Sequence, residues 1–205
     1  MNTPILPATK PGAIAHAADV LRHNGVVAFP TDTVYGIGAM AFQPQAVESL
    51  YVVKGRENMK AIAVLIADVS ELEQVTPNPG EAALRLAKRF WPGPVTLVVP
   101  RGPNVPDALS KLATIGVRVP MHPIALALLR ETGPLGVTSA NLSGEGNTQT
   151  VEDVLKQLNG RINLALDGGR TPGGVPSTVV DCTGPEPVIL RPGPISQADV
   201  ERALG

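Results

Sequence analysis

The chain is poor in the residues that most often announce a chemistry. Its 205 residues hold a single cysteine, Cys182, which excludes an internal disulfide framework. Cys182 lies in a strand pattern with no histidine or basic neighbour to activate it, which marks it as core. The three histidines are His16 and His23 on one helical stretch and His122 beside two prolines, so neither metal-ligand spacing nor a catalytic triad emerges. Aromatic side chains make up 3% of the chain, too few for the stacking surface that binds single-stranded nucleic acid. Charge of one sign is also missing. Lys and Arg number 17 against 18 Asp and Glu, and a net charge of −1 offers no long-range field to draw in nucleic acid, so any RNA contact must be local. No apolar run approaches the roughly 18 residues of a membrane span, and the start Met1-Asn2-Thr3-Pro4 has no basic region followed by an apolar stretch. A cytoplasmic chain with no membrane partner is expected.

What the chain has in quantity is punctuation. Gly and Pro number 21 each, scattered between apolar segments, and they predict many sharp turns. Helical spacing of Ala13, Ile14, Ala17, Val20 and Leu21 predicts a helix stopped near Gly25, feeding a buried strand at 26–30. Gly36 and Gly38 predict a turn after it. Pro44 can open a helix that runs to Lys54-Gly55-Arg56, and Ile62 to Ala67 has strand length. Ser70 and Glu73 have capping-box spacing for a short helix, and a longer one follows through Phe90, ended by Trp91-Pro92-Gly93-Pro94. Strands are predicted at 95–99, 115–119, 135–138, 162–166, 177–182 and 188–191, with helices at 123–132, after Thr150 and after Ser196. Interleaved strands and helices imply one α/β domain over residues 1–205, and the closely spaced late strands argue against an all-parallel sheet.

Several residues stand where chemistry could be carried. Thr31, Thr33 and Tyr35 supply hydrogen-bonding groups at a strand end, where open α/β sheets keep their ligand crevice, although an ordinary strand-to-loop junction has the same look. Gly36-Ile37-Gly38-Ala39-Met40-Ala41 matches a dinucleotide fingerprint only formally, because no helix can begin before about Pro44. The cluster from Gly168 to Gly174 lacks the Lys-Ser or Lys-Thr of a P-loop, so a nucleotide would need scattered cations. Lys54 and Arg56 at a helix end are one such pair, though cations favour helix C-termini for dipole reasons alone. Arg118, between Val117 and Val119, is costly to bury without an anion, whether a bound carboxylate or an internal Asp or Glu. Arg191 lies between an apolar strand and Pro192-Gly193. Ser139 and Asn141, alternate residues at a strand end, could face one ligand, or Asn141 could cap a turn. Asp32 and Asp181 are acidic residues able to hold Mg²⁺, and nothing ranks them.

Seven segments in chain order, Pro30-Thr31-Asp32-Thr33-Val34-Tyr35-Gly36, Lys54-Gly55-Arg56, Trp91-Pro92-Gly93-Pro94-Val95-Thr96, Val117-Arg118-Val119-Pro120, Ser139-Ala140-Asn141, Pro176-Ser177-Thr178 and Leu190-Arg191-Pro192-Gly193, together resemble the YrdC family of threonylcarbamoyl-adenylate synthases. The likeness runs from about Gly12 to Leu204, and the family's Lys-x-Arg and Ser-x-Asn signature is present at Lys54, Arg56, Ser139 and Asn141. The resemblance implies a twisted mixed sheet flanked by helices around a concave, locally positive cavity. It also implies that L-threonine, bicarbonate and ATP, with Mg²⁺, become threonylcarbamoyl-adenylate and pyrophosphate for a downstream threonylcarbamoyl transferase complex that modifies tRNA. Thr31, Arg118, Thr138 and Ser177 would hold threonine, with Arg118 on its carboxylate. Lys54, Arg56, Thr114, Ser139, Asn141 and Arg191 would hold ATP, with Lys54 and Arg56 as the catalytic cations.

The chain departs from the family pattern in three places. Glu57 stands where many relatives have proline, Leu65 where some carry a histidine near threonine, and the stretch Gly144 to Asn147 has no arginine where some use one against the nucleotide. The likeness is to the short form, without the extra C-terminal domain of longer relatives. The main alternative is a module binding tRNA or double-stranded RNA in RNA maturation without adenylation, against which near-neutral charge and scarce aromatics count. A further alternative is a related adenylating enzyme with another amino acid in the threonine pocket.

Overall fold

The computed structural model describes residues 2–55 and 61–205. Its centre is a sheet whose strands are β1 (Ile5–Pro7), β2 (Val27–Phe29), β3 (Gly36–Met40), β4 (Ala63–Leu65), β5 (Val95–Pro100), β6 (Thr114–Arg118), β7 (Leu135–Ser139), β8 (Leu164–Asp167), β9 (Thr178–Asp181) and β10 (Val188–Arg191). They lie in the order β1-β8-β2-β3-β7-β4-β6-β5-β9-β10. Pairing is mixed: β2 with β8, β4 with β6 and β5 with β9 are parallel, whereas β2 with β3, β3 with β7, β7 with β4 and β9 with β10 are antiparallel. This is the twisted mixed α/β sheet that the sequence predicts.

Among the described residues six helices flank it, α1 (Ala13–Arg22), α2 (Pro44–Lys54), α3 (Glu81–Phe90), α4 (Pro123–Thr132), α5 (Val151–Leu158) and α6 (Gln197–Leu204). The starts of four of them follow from local chemistry. Pro44 and Pro123 occupy first-turn positions, where a missing N–H costs nothing. Thr150 accepts from the Asp153 amide, and Ser196 forms a full capping box with Asp199. None of the helices among the described residues is long and apolar enough to cross a membrane.

The two faces of the sheet are covered unequally. On one face, Val47 and Leu50 of α2, Leu86 of α3, Val154 of α5 and Val200 of α6 pack in one apolar cluster with Ala28, Ile37, Val64, Leu97, Val117 and Val180. On the other, α1 and α4 pack with Val27, Phe29, Leu65, Leu135, Val137 and Leu164. Beyond that second cluster the same face of the sheet continues across β4, β6, β5 and β9, and there a hollow opens.

Three local expectations change. Gly36 and Gly38 do not make a turn; they are strand residues of β3, opposite Phe29 and Val27. Glycine is needed there for room, since a Cβ at Gly36 would come within 2.8 Å of Val137 Cγ1 and one at Gly38 within 2.9 Å of Phe29 Cε1. The capping-box spacing of Ser70 and Glu73 is not used as predicted: Val69–Gln74 is a 3-10 helix whose cap is Asp68, accepting from the Ser70 amide. The stop of α1 comes at Asn24, in the left-handed region with φ 62°, one residue before Gly25. Edge strand β1 was not expected at all, because three residues ending in proline carry too short a pattern to read.

Tyr35, fully buried, ties the sheet to the loop after β8: its hydroxyl donates to the Gly169 carbonyl at 2.8 Å and accepts from the Gly168 amide at 3.2 Å. Tyr35→Phe leaves both backbone groups without that partner and is expected to cost about 1–2 kcal/mol. Urea unfolding checks this as a lower midpoint at unchanged slope.

Candidate functional site

The hollow has a volume of about 340 Å³, within the range of small-molecule sites. Its floor is one face of six neighbouring strands: Gly36 of β3, Val137 and Ser139 of β7, Ala63 and Leu65 of β4, Gly116 and Arg118 of β6, Thr96 and Val98 of β5, and Val179 of β9. Residues two apart on a strand share a face, so these side chains all rise from the same side. Small residues make the depth. A Cβ on Gly116 would sit 3.0 Å from Thr96 Cγ2 and 3.5 Å from Ala63 Cβ.

Among the described residues two arginines line the hollow, and they are held differently. Arg118 has a side chain only 6% exposed. Its Nε donates to the Gly93 carbonyl at 2.9 Å, Nη1 to Thr33 Oγ1 at 3.1 Å, and Nη2 to Asp32 Oδ1 at 2.5 Å. Those bonds use three of the five guanidinium N–H groups and leave one on each terminal nitrogen, the pair that suits a carboxylate fork. Burial works against the Arg118 charge, and Asp32 opposes that. Asp32 Oδ1 also accepts from the Met121 amide at 3.0 Å, while Oδ2 has no partner among the described residues. The internal acidic partner left open for Arg118 is therefore Asp32.

Arg191 is exposed and donates from Nε and Nη2 to the Ser177 carbonyl at 3.1 and 2.8 Å, and from Nη2 to Ser177 Oγ at 3.1 Å. No carboxylate pairs with it among the described residues, and burial of its head works against its charge. Hydroxyls extend both arginines. Thr33 Oγ1 lies 3.0 Å from Thr31 Oγ1, which donates to the Val34 carbonyl, and Ser177 Oγ lies 2.8 Å from Thr96 Oγ1.

Of the residues predicted from sequence, Thr31, Arg118, Thr138, Ser139, Ser177 and Arg191 meet at this hollow. Lys54 and Asn141 are buried one layer behind Ser139. The Lys54 ammonium donates to the carbonyls of Ser139 at 2.6 Å and Asn141 at 2.7 Å and to Asn141 Oδ1 at 3.2 Å. Asn141 Oδ1 also accepts from Ser139 Oγ at 2.5 Å, and its amide nitrogen holds the carbonyls of Leu142 and Glu145. The ammonium and the amide thus fix the turn that presents Ser139. Thr114 lies on the same face of β6, two residues beyond Gly116 and outside the lining. Arg56 and Glu57 lie outside the described residues.

Thr33 and Tyr35, singled out at the strand end, line the hollow too, whereas Thr96, given no ligand role from sequence, joins a hydroxyl relay. A lone hydroxyl within the apolar run Val95–Val99 was the available signal for Thr96. Leu65 and Asn147, the two departures from the family pattern that can be placed, both line the hollow. Burial pushes the Tyr35 phenol up to about 12 and the Cys182 thiol up to about 12, so neither serves as a base or nucleophile near neutral pH.

A cavity with two arginines, hydroxyl relays and no activated nucleophile among the described residues is, on an α/β sheet, suited to a small molecule carrying anionic groups. The chain belongs to the Sua5/YciO/YrdC family, whose model, described as telomere recombination, matches residues 19–193. It is 48% identical to the threonylcarbamoyl-AMP synthase of Bacillus subtilis over 94% of this chain and 56% of that protein. It is 38% identical to a putative threonylcarbamoyl-AMP synthase of Mycobacterium tuberculosis, over 97% of this chain and 92% of the other. Among solved structures, Pyrococcus abyssi Sua5 complexed with L-threonine superimposes with a TM-score of 0.93 at 39% identity, covering 99% of this chain and 60% of that one. The chain thus spans 56% of the length of the Bacillus relative.

His122 follows Met121, whose amide donates to Asp32, and its Nδ1 is buried with no partner among the described residues. Burial lowers its pKa from the ordinary 6.5, with Asp32 opposing. The unfolded chain therefore takes up this proton at higher pH than the folded one, so the stability contributed by the neutral ring is present above about pH 6.5 and is lost as pH falls below it. The melting temperature is expected to drop between about pH 7.5 and about pH 5.5, with a shallower drop in His122→Gln.

Proposed function

We propose that the chain forms threonylcarbamoyl-adenylate and pyrophosphate from L-threonine, bicarbonate and ATP, a nucleotidyl transfer that supplies a downstream transferase complex modifying tRNA. The observation that carries this reading is the paired-arginine hollow. Arg118 presents two free N–H groups suited to an amino acid carboxylate, and Arg191 presents an unneutralised cation suited to phosphate. The names of the Bacillus and Mycobacterium relatives and the threonine bound in the Pyrococcus structure support the same assignment.

Threonine would lie against Thr31, Arg118, Thr138 and Ser177. ATP would lie toward Ser139, Thr114 and Arg191, with Lys54 and Asn141 bracing the Ser139 turn and Arg56 adding a second cation. The threonine amine bonds to the bicarbonate carbon with loss of water. A carbamate oxygen then attacks the α-phosphorus as the bond to the β-phosphate breaks and pyrophosphate leaves. The nucleophile belongs to the substrate, so the protein contributes placement and compensation of charge. Mg²⁺ would enter chelated by the triphosphate, whose oxygens and water supply most of its ligands; no group of three acidic, histidine or cysteine side chains suited to a metal is found among the described residues.

Pyrophosphate release is expected to require ATP, bicarbonate and threonine together, with the mixed anhydride detected by mass spectrometry. Threonine should outperform serine and valine. Binding of tRNA without threonine-dependent turnover of ATP would instead favour the RNA-binding module. Lys54→Ala should lower adenylate formation by about 10²-fold, because the Ser139 turn loses its brace and a small misplacement of site groups costs that much. Arg118→Gln should raise KM for threonine by roughly 10–100-fold and leave KM for ATP much less changed, the size of a lost charge-assisted bond.

A further inference from the structure

The two arginines of the hollow differ in one respect that their roles do not by themselves require: Arg118 has a buried carboxylate on it and Arg191 has none. Both line one cavity, and the Arg191 charge works against that of Arg118. An undamped pair of guanidinium groups in one cavity is a good site for phosphate, pyrophosphate or a stray triphosphate.

We propose that Asp32 is a positioning and specificity residue: by cancelling the Arg118 charge from behind, it makes that end of the cavity select an amino acid and turn away phosphate-type anions, which are left to Arg191. The proposal rests on the reading of Arg118 as the group that takes the threonine carboxylate. Asp32 does not line the cavity, so it acts through Arg118.

Its geometry divides into two functions. Oδ1 braces the site, joining Arg118 Nη2 to the Met121 amide and thereby fixing β6 and the chain after it against the segment that follows β2. Oδ2 makes no bond among the described residues, although a buried carboxylate oxygen without a donor is costly. A neutral acceptor could brace Arg118 as well as Oδ1 does, and only the ionised group supplies the opposing charge. The retained cost therefore falls on the charge. Selection between a carboxylate with its neighbouring amine and a multiply charged phosphate is a difference of affinities, and charge placed against the wrong ligand enlarges it.

Two variants separate the functions. Asp32→Asn keeps an acceptor in place and removes the charge; Asp32→Ala removes both. Binding of L-threonine, and its displacement by inorganic phosphate, is measured by calorimetry on the full chain without ATP. In the unmodified protein, millimolar phosphate should leave threonine affinity unchanged. In Asp32→Asn, phosphate should compete at least tenfold more strongly than in the unmodified protein, while threonine binding persists; in Asp32→Ala, threonine binding should fall. Phosphate competing with threonine in the unmodified protein overturns the proposal, and this holds even if the variants do not fold. Equal loss of threonine binding in both folded variants, with no gain of phosphate competition, also overturns it by making Asp32 a brace alone. Failure of the unmodified protein to bind threonine at all would instead remove the reading of Arg118 beneath it.

Discussion

A guanidinium taken out of water has to be met by acceptors on nearly every side, and the need to satisfy Arg118 organises much of this molecule. Gly93, after α3, gives it a carbonyl; Thr33 and Asp32, after β2, give it a hydroxyl and a carboxylate. These groups come from segments more than eighty residues apart in sequence in the case of Asp32 and Arg118. The same carboxylate holds the amide of Met121, just ahead of α4. One buried cation thus fixes the relative placement of three connections, and the one after β2 lines the hollow through Thr31, Thr33 and Val34. Removing the cation's partners would cost stability as well as function, because a buried charge without acceptors is worse than no charge.

The floor obeys a different constraint. On the open face, β3, β4 and β6 carry glycine or alanine at Gly36, Ala63 and Gly116, beside the larger Leu65 and Arg118, while the opposite face of the same sheet carries Ile37, Val64 and Val117 in the apolar cluster. Alternation along a strand normally sets apolar against polar. Here it sets large against small. The stability of the region comes from the packed face, which leaves the other face free to be shaped for a ligand.

How far this was legible in the sequence differs from element to element. Helices with a proline in the first turn or a hydroxyl cap, such as α2, α4, α5 and α6, show in local chemistry and fall where that chemistry puts them. Gly36 and Gly38 look like a turn in sequence because the reason for them, the methyls of Val137 and the ring of Phe29, lies on other strands. Arg118 was legible as a problem, a charge amid valines, whereas its solution in Asp32 required the fold. Lys54 and Asn141 showed through the family signature, yet their bonds to each other behind Ser139 could not be read from spacing. Periodicity reports burial; it does not report which buried groups meet.

The arrangement also bears on why no activated side chain is needed. In the proposed reaction the attacking atoms belong to bound substrates, so reactivity depends on bringing a carbamate oxygen in line with the α-phosphorus. The hydroxyl relays favour this. Thr31 and Thr33 are tied to each other and to Arg118, and Thr96 and Ser177 are tied to each other and to Arg191. A hydroxyl held by a neighbour has its donor direction largely set before a ligand arrives, so little reorganisation remains at the moment of reaction. The Tyr35 phenol and Cys182 thiol, both pushed to about 12 by burial, keep their protons and leave that geometry undisturbed by competing nucleophiles. Rigid placement in a small-floored cavity therefore stands in for the nucleophile that the chain's single buried cysteine and few histidines do not supply.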